Sequence, residues 1–258
     1  MELIRSSPMD EDLHFFRGKT ALVTGAARRL GRAVALALAE RGAGLVLHYR
    51  SSREEALRTA GEAREKGVPV HLLQADLEDP AAPEELFRRA RREAGPLDLL
   101  VNNASFFPSD RMEDLSWDAL ARSLKVHAFA PLALIRRLAA QEREAAAVNL
   151  LDARVLDYDR EHYSYHLGKR VLLAVTEEAA LEYAPRVRVN AVAPGLILPP
   201  PGEGPEYLDR MASANPLRRR GEAAHVARAV LFLLSAPFVT GQVFFVDGGR
   251  HLLRRGGG

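Results

Sequence analysis

The chain has 258 residues, 47% of them apolar, a formal net charge of +2 and no cysteine. That length and apolar content suit one large globular core and exclude a disordered chain, and the missing cysteines exclude disulfides, thiolate metal sites and cysteine nucleophiles. Arg28-Arg29, Arg218-Arg219-Arg220 and Arg254-Arg255 are local clusters separated by acidic stretches, so they suggest a phosphate site and exclude the continuous basic stripe that a nucleic-acid partner requires.

Residues 1–15 read as a short loose tail without an apolar signal core, and no apolar run approaches the ~20 residues of a bilayer span. A cytoplasmic protein with no membrane partner is expected. A single domain over residues 16–258 follows, in which short β-branched or leucine-rich runs alternate with long helical stretches. The first strand, Thr20–Thr24, runs into Leu22-Val-Thr-Gly-Ala-Ala-Arg-Arg-Leu-Gly31 and a helix over Leu30–Arg41. Gly25 permits the tight turn and Gly31 lets the helix lie close to the sheet. The N–H groups of the helix start, around Arg28, Arg29 and Leu30, then face an anion such as a dinucleotide pyrophosphate. Arg29 stands where a third glycine is expected.

The second strand, Leu45–Tyr49, ends in His48-Tyr49-Arg50-Ser51-Ser52. A carboxylate there would bond the adenosine ribose of NAD. Its absence, with Arg50, Ser51 and Arg29 offering charge-assisted bonds, points to the 2′-phosphate of NADPH. Ser51-Ser-Arg-Glu-Glu55 contains two overlapping Ser-x-x-Glu capping boxes for a helix over Arg53–Lys66, which Gly67 ends. A strand over Val70–Gln74 leads to Asp76 and Leu77, then to a helix over Pro83–Ala94 with a tolerated first-turn proline. A strand over Leu97–Asn102 leads to Asn103, Ala104, Ser105, Phe106 and Phe107. One long helix is predicted over Trp117–Ala140, followed by a strand over Ala147–Leu151 that ends at Asp152. The last elements are a helix over Tyr163–Tyr183, a strand over Val187–Val192, a helix over Glu222–Leu234 and a strand over Gln242–Val246. Leu198-Pro-Pro-Pro-Gly-Glu-Gly-Pro205 reads as the base of a mobile flap near residues 196–220. Such alternation predicts a parallel sheet with helices on both faces and ligands at the carboxyl ends of the strands.

Tyr165 and Lys169 stand four residues apart in His162-Tyr-Ser-Tyr-His-Leu-Gly-Lys169, so they share one helix face. A phenol is a poor acid at neutral pH until a neighbouring cation stabilises its anion, so the pair is a candidate proton donor. Tyr163, roughly 200° around the helix from Tyr165, faces elsewhere. The eight histidines form no cluster with Asp or Glu at ligand spacing, so no metal site is expected.

Thr24-Gly25…Gly31, Asp76, Asn102-Asn-Ala104, Tyr165-x-x-x-Lys169, Arg188-Val-Asn-Ala-Val-Ala-Pro-Gly195 and Thr240-Gly-Gln-Val-Phe-Phe-Val-Asp-Gly-Gly249, in that order, resemble the short-chain dehydrogenases/reductases over about Phe16 to Leu252. The resemblance implies a doubly wound, Rossmann-type α/β domain with seven parallel strands, hydride transfer with NAD(P) and a homotetramer. It also implies that Asp76, beside Leu77, holds the adenine. Asn103 and Ala104 line the cofactor ribose, and Pro194 and Gly195, followed by Leu196, abut the nicotinamide. Lys169 bonds the nicotinamide ribose while lowering the pKa of Tyr165.

Three departures look like the pteridine reductase branch, including dihydromonapterin-type reductases. Arg29 replaces a glycine, Asn-Asn-Ala-Ser105 replaces Asn-Asn-Ala-Gly, and Asp152 occupies the serine position thirteen residues before Tyr165. That branch places an aromatic after Asn-Ala-Ser to sandwich the pterin, a role open to Phe106 or Phe107. His127 falls where the family has an asparagine that holds a relay water, and an imidazole can take that role or be a satisfied core histidine. The threonine that often follows Pro-Gly is missing. The expected activity is NADPH-dependent reduction of a pteridine-like small molecule at a ring imine by Tyr165, Lys169 and Asp152. The alternatives are a carbonyl reductase such as a 3-oxoacyl thioester reductase, and a silent NADP-sensing regulator.

Overall fold

A computed structural model describes residues 14–199 and 202–256; the tail through residue 13 and the centre of the Pro-rich run lie outside the described residues. The predicted strands form β1 (Thr20–Val23), β2 (Gly44–Tyr49), β3 (Val70–Gln74), β4 (Leu99–Asn102), β5 (Ala145–Leu150), β6 (Val187–Pro194) and β7 (Val243–Val246). They make one parallel sheet in the order β3-β2-β1-β4-β5-β6-β7.

Side chains alternate across each strand, and both faces are apolar because both are covered. Leu45 and Leu47 of β2 and Val101 of β4 share one core cluster with Val34, Leu38, Val230 and Leu234. These belong to α1 (Arg29–Glu40) and α8 (Ala223–Ser235); α2 (Arg53–Arg64) packs on the same side. Val46 and Leu100, one residue out of phase, join Leu86, Phe87, Leu134 and Ile135 on the other face. The covering helices there are α3 (Ala82–Ala94), α5 (Ala130–Ala139) and α6 (Tyr163–Glu182).

Strand ends differ from the expectation by up to two residues, which leaves the register unaffected. Three local features do differ. The single helix expected over Trp117–Ala140 is α4 (Trp117–Leu124), a π-helical turn over Lys125–Phe129, and α5. Pro131 in the first turn of α5 has no N–H and its ring crowds the carbonyl four residues back; the Ala130 N–H reaches Lys125 O, five residues back. Secondly, Ser52 makes no capping bond, because its φ of −83° and ψ of 62° are not the extended conformation a capping serine uses. Gly67 does end that segment, at φ +80°. Thirdly, the segment near 196–220 contains a short helix, α7 (Pro205–Met211), that the Pro/Gly content obscured. Among the described residues no helix is long and apolar enough to cross a membrane.

Candidate active site

The carboxyl ends of β1, β2 and β4 meet around the first glycine turn. Gly25 adopts φ +61°, and a Cβ on it would lie 2.9 Å from Ala104 Cα. A Cβ on Gly31 would lie 2.2 Å from Gly25 O, so α1 can approach only because both are glycine. Asn103 donates from Nδ2 to Thr24 O at 2.9 Å and Gly25 O at 3.0 Å, and Thr24 Oγ1 accepts from the N–H groups of Asn103 and Ala104. Gly25 N–H donates to His48 Nδ1 at 3.1 Å, which leaves the proton on Nε2 to donate to Ala75 O at 3.1 Å. Burial pushes the His48 pKa down to about 4. His48 thus braces the turn from behind as a neutral imidazole, with both ring nitrogens spent on backbone.

No side chain caps α1, and its N-cap residue Arg28 is extended, which leaves the first-turn N–H groups for an anion. Arg29 retains the left-handed backbone of the glycine it replaces, at φ +55°. Its guanidinium reaches Pro199 O at 2.9 Å, tying the cradle to the segment that follows β6. Arg50 is turned toward Glu78, which also pairs with Arg122 at 2.7 Å. Ser51 is exposed beside it, and Asp76 Oδ1 accepts the Glu78 N–H at 3.0 Å where the chain turns after β3, ahead of buried Leu77. A cradle in which a Cβ cannot be accommodated, an uncapped helix start and arginines at the rim fit the diphosphate and 2′-phosphate of a dinucleotide.

Tyr165 and Lys169 lie on the buried face of α6, whereas Tyr163 turns to Tyr158, with ring centroids 6.2 Å apart. A buried chain sets the helix height: Asn102 Nδ2 donates to Asn149 Oδ1 and Asn149 Nδ2 to Thr176 Oγ1, both at 2.9 Å, joining β4, β5 and α6. Gly168 allows the close approach of α6 to the π-helical turn, since a Cβ there would meet His127 and Ser123 atoms at 3.1 Å. Tyr165 Oη donates to Asp152 Oδ2 at 3.2 Å, and Asp152 Oδ1 accepts the Arg154 N–H at 2.7 Å. Asp152 therefore caps the turn Ala153–Leu156 and faces the phenol at once.

Lys169 Nζ donates to Leu150 O at 2.5 Å and lies 5.7 Å from the Tyr165 ring centroid. Burial lowers its pKa to about 8, against the opposing pull of Asp152. The expectation that Lys169 depresses the Tyr165 pKa is corrected here. Burial first, and then the charge and hydrogen bond of Asp152, push the phenol well above its usual value, because the group at its oxygen is a carboxylate and not the ammonium.

The wall opposite is aromatic. Phe107 stacks on His162, with centroids 3.7 Å apart, and meets Tyr165 edge-on at 4.7 Å. Phe106 instead stacks on His127 at 4.9 Å, with the Arg122 guanidinium 4.4 Å from its centroid. Of the two phenylalanines, Phe107 is the one beside Tyr165. His127 is buried. Phe106 N–H can only donate, so His127 Nε2 accepts from it at 3.3 Å, with Ser105 Oγ at 3.1 Å from the same nitrogen, and Nδ1–H donates to Ser123 Oγ at 3.0 Å. Burial and then the charge of Lys169 hold its pKa well below the usual value. The ring is neutral with both nitrogens engaged, lies 5.2 Å edge-on from the Tyr165 ring, and anchors the Ser105–Phe106 segment.

Asp110, which sequence reasoning missed, caps α6 from a distance by accepting Ser164 N–H at 2.8 Å and binding Ser164 Oγ. Arg154 and Asp159, also missed, form a 2.6 Å ion pair next to Asp152. At the end of β6, Pro194 precedes Gly195, whose absent Cβ would lie 2.5 Å from that of Asp247, and Leu196 O accepts the Gly221 N–H at 3.3 Å. Among the described residues no group of His, Asp and Glu is placed to hold a metal ion.

A family model described as "Enoyl-(Acyl carrier protein) reductase" matches residues 25–251. The 3-oxoacyl-[acyl-carrier-protein] reductase FabG of Staphylococcus epidermidis is 32% identical, covering 91% of this chain and 99% of that protein. Versicolorin reductase 1 of Aspergillus parasiticus is also 32% identical, covering 92% and 98%. Among solved structures, FolM alternative dihydrofolate reductase 1 from Brucella canis, complexed with NADP, superposes with a TM-score of 0.87 and 34% identity over 93% of this chain and 96% of that one. With this fold, the glycine cradle and the Tyr165–Lys169 pair, the chain belongs to the short-chain dehydrogenase/reductase family of NAD(P)-dependent oxidoreductases.

Proposed function

We propose that the chain is an NADPH-dependent reductase of a dihydropteridine-like ring. The observation that carries this reading is the Tyr165 Oη–Asp152 Oδ2 hydrogen bond of 3.2 Å. Bound NADPH supplies a hydride to the imine carbon. The adjoining ring nitrogen becomes basic as that happens, and it requires an acid that keeps its proton until then. Tyr165 is such an acid, since Asp152 disfavours the phenolate in the resting site. Tyr165 then gives its proton to the nitrogen, while the Lys169 ammonium in the same buried pocket offsets the phenolate charge. Phe107 supplies a flat apolar wall for a fused ring. Arg29 and Arg50 favour the 2′-phosphate, and the segment near 196–220 acts as the substrate flap, hinged where Gly221 meets Leu196 and held through Arg29. The likeness to FolM, named as an alternative dihydrofolate reductase in complex with NADP, supports this reading.

The likeness to FabG favours a second reading, reduction of a 3-oxoacyl thioester. Asp152 weighs against it, because a carboxylate opposes negative charge developing on a carbonyl oxygen. The silent-regulator reading is disfavoured by the paired Tyr165 and Lys169. Steady-state NADPH consumption with dihydropterins, dihydrofolate and an acetoacetyl thioester, for the wild type and Asp152→Ser, tests the assignment. The mutant is expected to lose most activity on dihydropterins while carbonyl reduction holds or rises. A wild type that turns over the thioester and ignores every pterin refutes it. We also infer a homotetramer, supported by the exposed apolar side chains Val171 and Leu181 on α6 and Phe232 on α8; a monomeric sedimentation coefficient excludes it.

A further inference from the structure

Beside the catalytic pair lies a recess of about 410 Å³ that the reaction does not use. Arg154, Arg160 and Arg250 line it with Asp157, Asp159 and Glu161, beside Tyr158 and Leu253. It adjoins the site directly: the Arg154 N–H holds Asp152 Oδ1 at 2.7 Å, and Asp159 contacts His162 at 3.2 Å, whose ring stacks on Phe107.

Its charges are unevenly committed. Asp159 is held by Arg154 and His162, Glu161 faces Arg111 at 3.9 Å, and Asp157 has a partner as well. Both Asp159 carboxylate oxygens are engaged within the segment, Oδ1 by Glu161 N–H and His162 and Oδ2 by Arg154. Arg160 and Arg250 pair with no carboxylate among the described residues. Arg160 lies 5.9 Å from the centre of the Tyr158 ring, and Tyr158 and Leu253 are half-exposed. Among the described residues the recess therefore offers two guanidinium groups without a carboxylate partner, beside an aromatic and an apolar side chain. Guanidinium groups bind carboxylates and phosphates in a planar, bidentate manner that a lysine cannot reproduce.

We propose that this recess anchors an anionic extension of the substrate, a carboxylate or phosphate carried on a spacer remote from the reacting bond. The inference rests on the reductase reading above and narrows it to substrates that possess such a tail. The shared chemistry has two sources, the glutamate carboxylates of a folate and the phosphates of a coenzyme A-type thioester.

The test pairs each tailed substrate with a tailless one of identical reacting group: dihydrofolate with 7,8-dihydrobiopterin, and acetoacetyl-coenzyme A with acetoacetyl-N-acetylcysteamine. Arg160→Ala and Arg250→Ala should each lower kcat/KM for the tailed member by about tenfold, the worth of one charge-assisted hydrogen bond, and mainly through KM. The tailless member should change less than about twofold, since its contacts are all elsewhere. The same ratio should appear in dissociation constants measured by isothermal titration with the NADP+-loaded protein, which cannot reduce the substrate, a readout independent of turnover. Equal losses on both members of a pair, or no loss on the tailed one, overturn the proposal, as does a wild type that binds tailed and tailless compounds equally. Tail dependence confined to the thioester pair leaves the anionic anchor standing and removes the pteridine assignment.

Discussion

Lys169 sits fully inside the protein with one carbonyl for a partner, and its pKa falls from 10.5 to about 8. At about 1.4 kcal/mol per unit, holding it charged at neutral pH costs the fold about 3 kcal/mol. The sign follows from proton binding: between pH 8 and 10.5 the unfolded chain keeps the proton that the folded chain has released. Stability attributable to this residue therefore rises with pH across that window, and the penalty is complete below it. Lys169→Met removes both the titration and the penalty while keeping the length of the side chain, at the expense of one hydrogen bond worth about 1 kcal/mol. The mutant should be the more stable protein at about pH 7, by about 2 kcal/mol, and that advantage should shrink by about 2 kcal/mol on going to about pH 9.5. Urea unfolding of both proteins without cofactor at the two pH values measures the double difference, in which the other titrating groups cancel. A mutant less stable at neutral pH, or an advantage that does not vary with pH, refutes the reasoning. The same pKa implies that kcat/KM of the wild type declines above about pH 8 as Lys169 loses its charge.

Tyr165→Phe should reduce turnover by about 10²–10⁴-fold with NADPH binding nearly intact, measured by fluorescence titration, whereas Tyr163→Phe should do far less; the reverse order contradicts the helix register. Arg29→Gly relieves a left-handed residue at φ +55° and removes the bond to Pro199 O, two effects of about 1 kcal/mol each that oppose, so stability should change little while NADPH binding weakens relative to NADH. Unchanged cofactor preference would remove Arg29 from the phosphate site. His127→Gln retains an acceptor and a donor and should keep most activity, while His127→Leu leaves Phe106 N–H and Ser123 unpaired and should raise KM for substrate. A solvent isotope effect on kcat that disappears in His127→Gln would instead make the imidazole a proton relay.

The architecture was legible because its signals are local. Alternation of strand and helix patterns and the glycines at 25 and 31 depend on neighbours along the chain, and they predicted the parallel sheet and the cradle. The separation of Tyr165 from Tyr163 is likewise a property of one helix. The tertiary structure decided what depends on residues distant in sequence. Phe107, not Phe106, meets Tyr165, because His127 on another element claims Phe106. His127 stands on a π-helical turn whose cause, Pro131, lies four residues on, and its ring meets Tyr165 edge-on at 5.2 Å with both nitrogens engaged. The direction of the Tyr165 pKa reversed because Asp152 and burial, neither evident from the four-residue spacing, outweigh a lysine that faces a backbone carbonyl. Electrostatics of this kind depends on distance and desolvation in space, and those exist only after β4, β5 and α6 have been brought together.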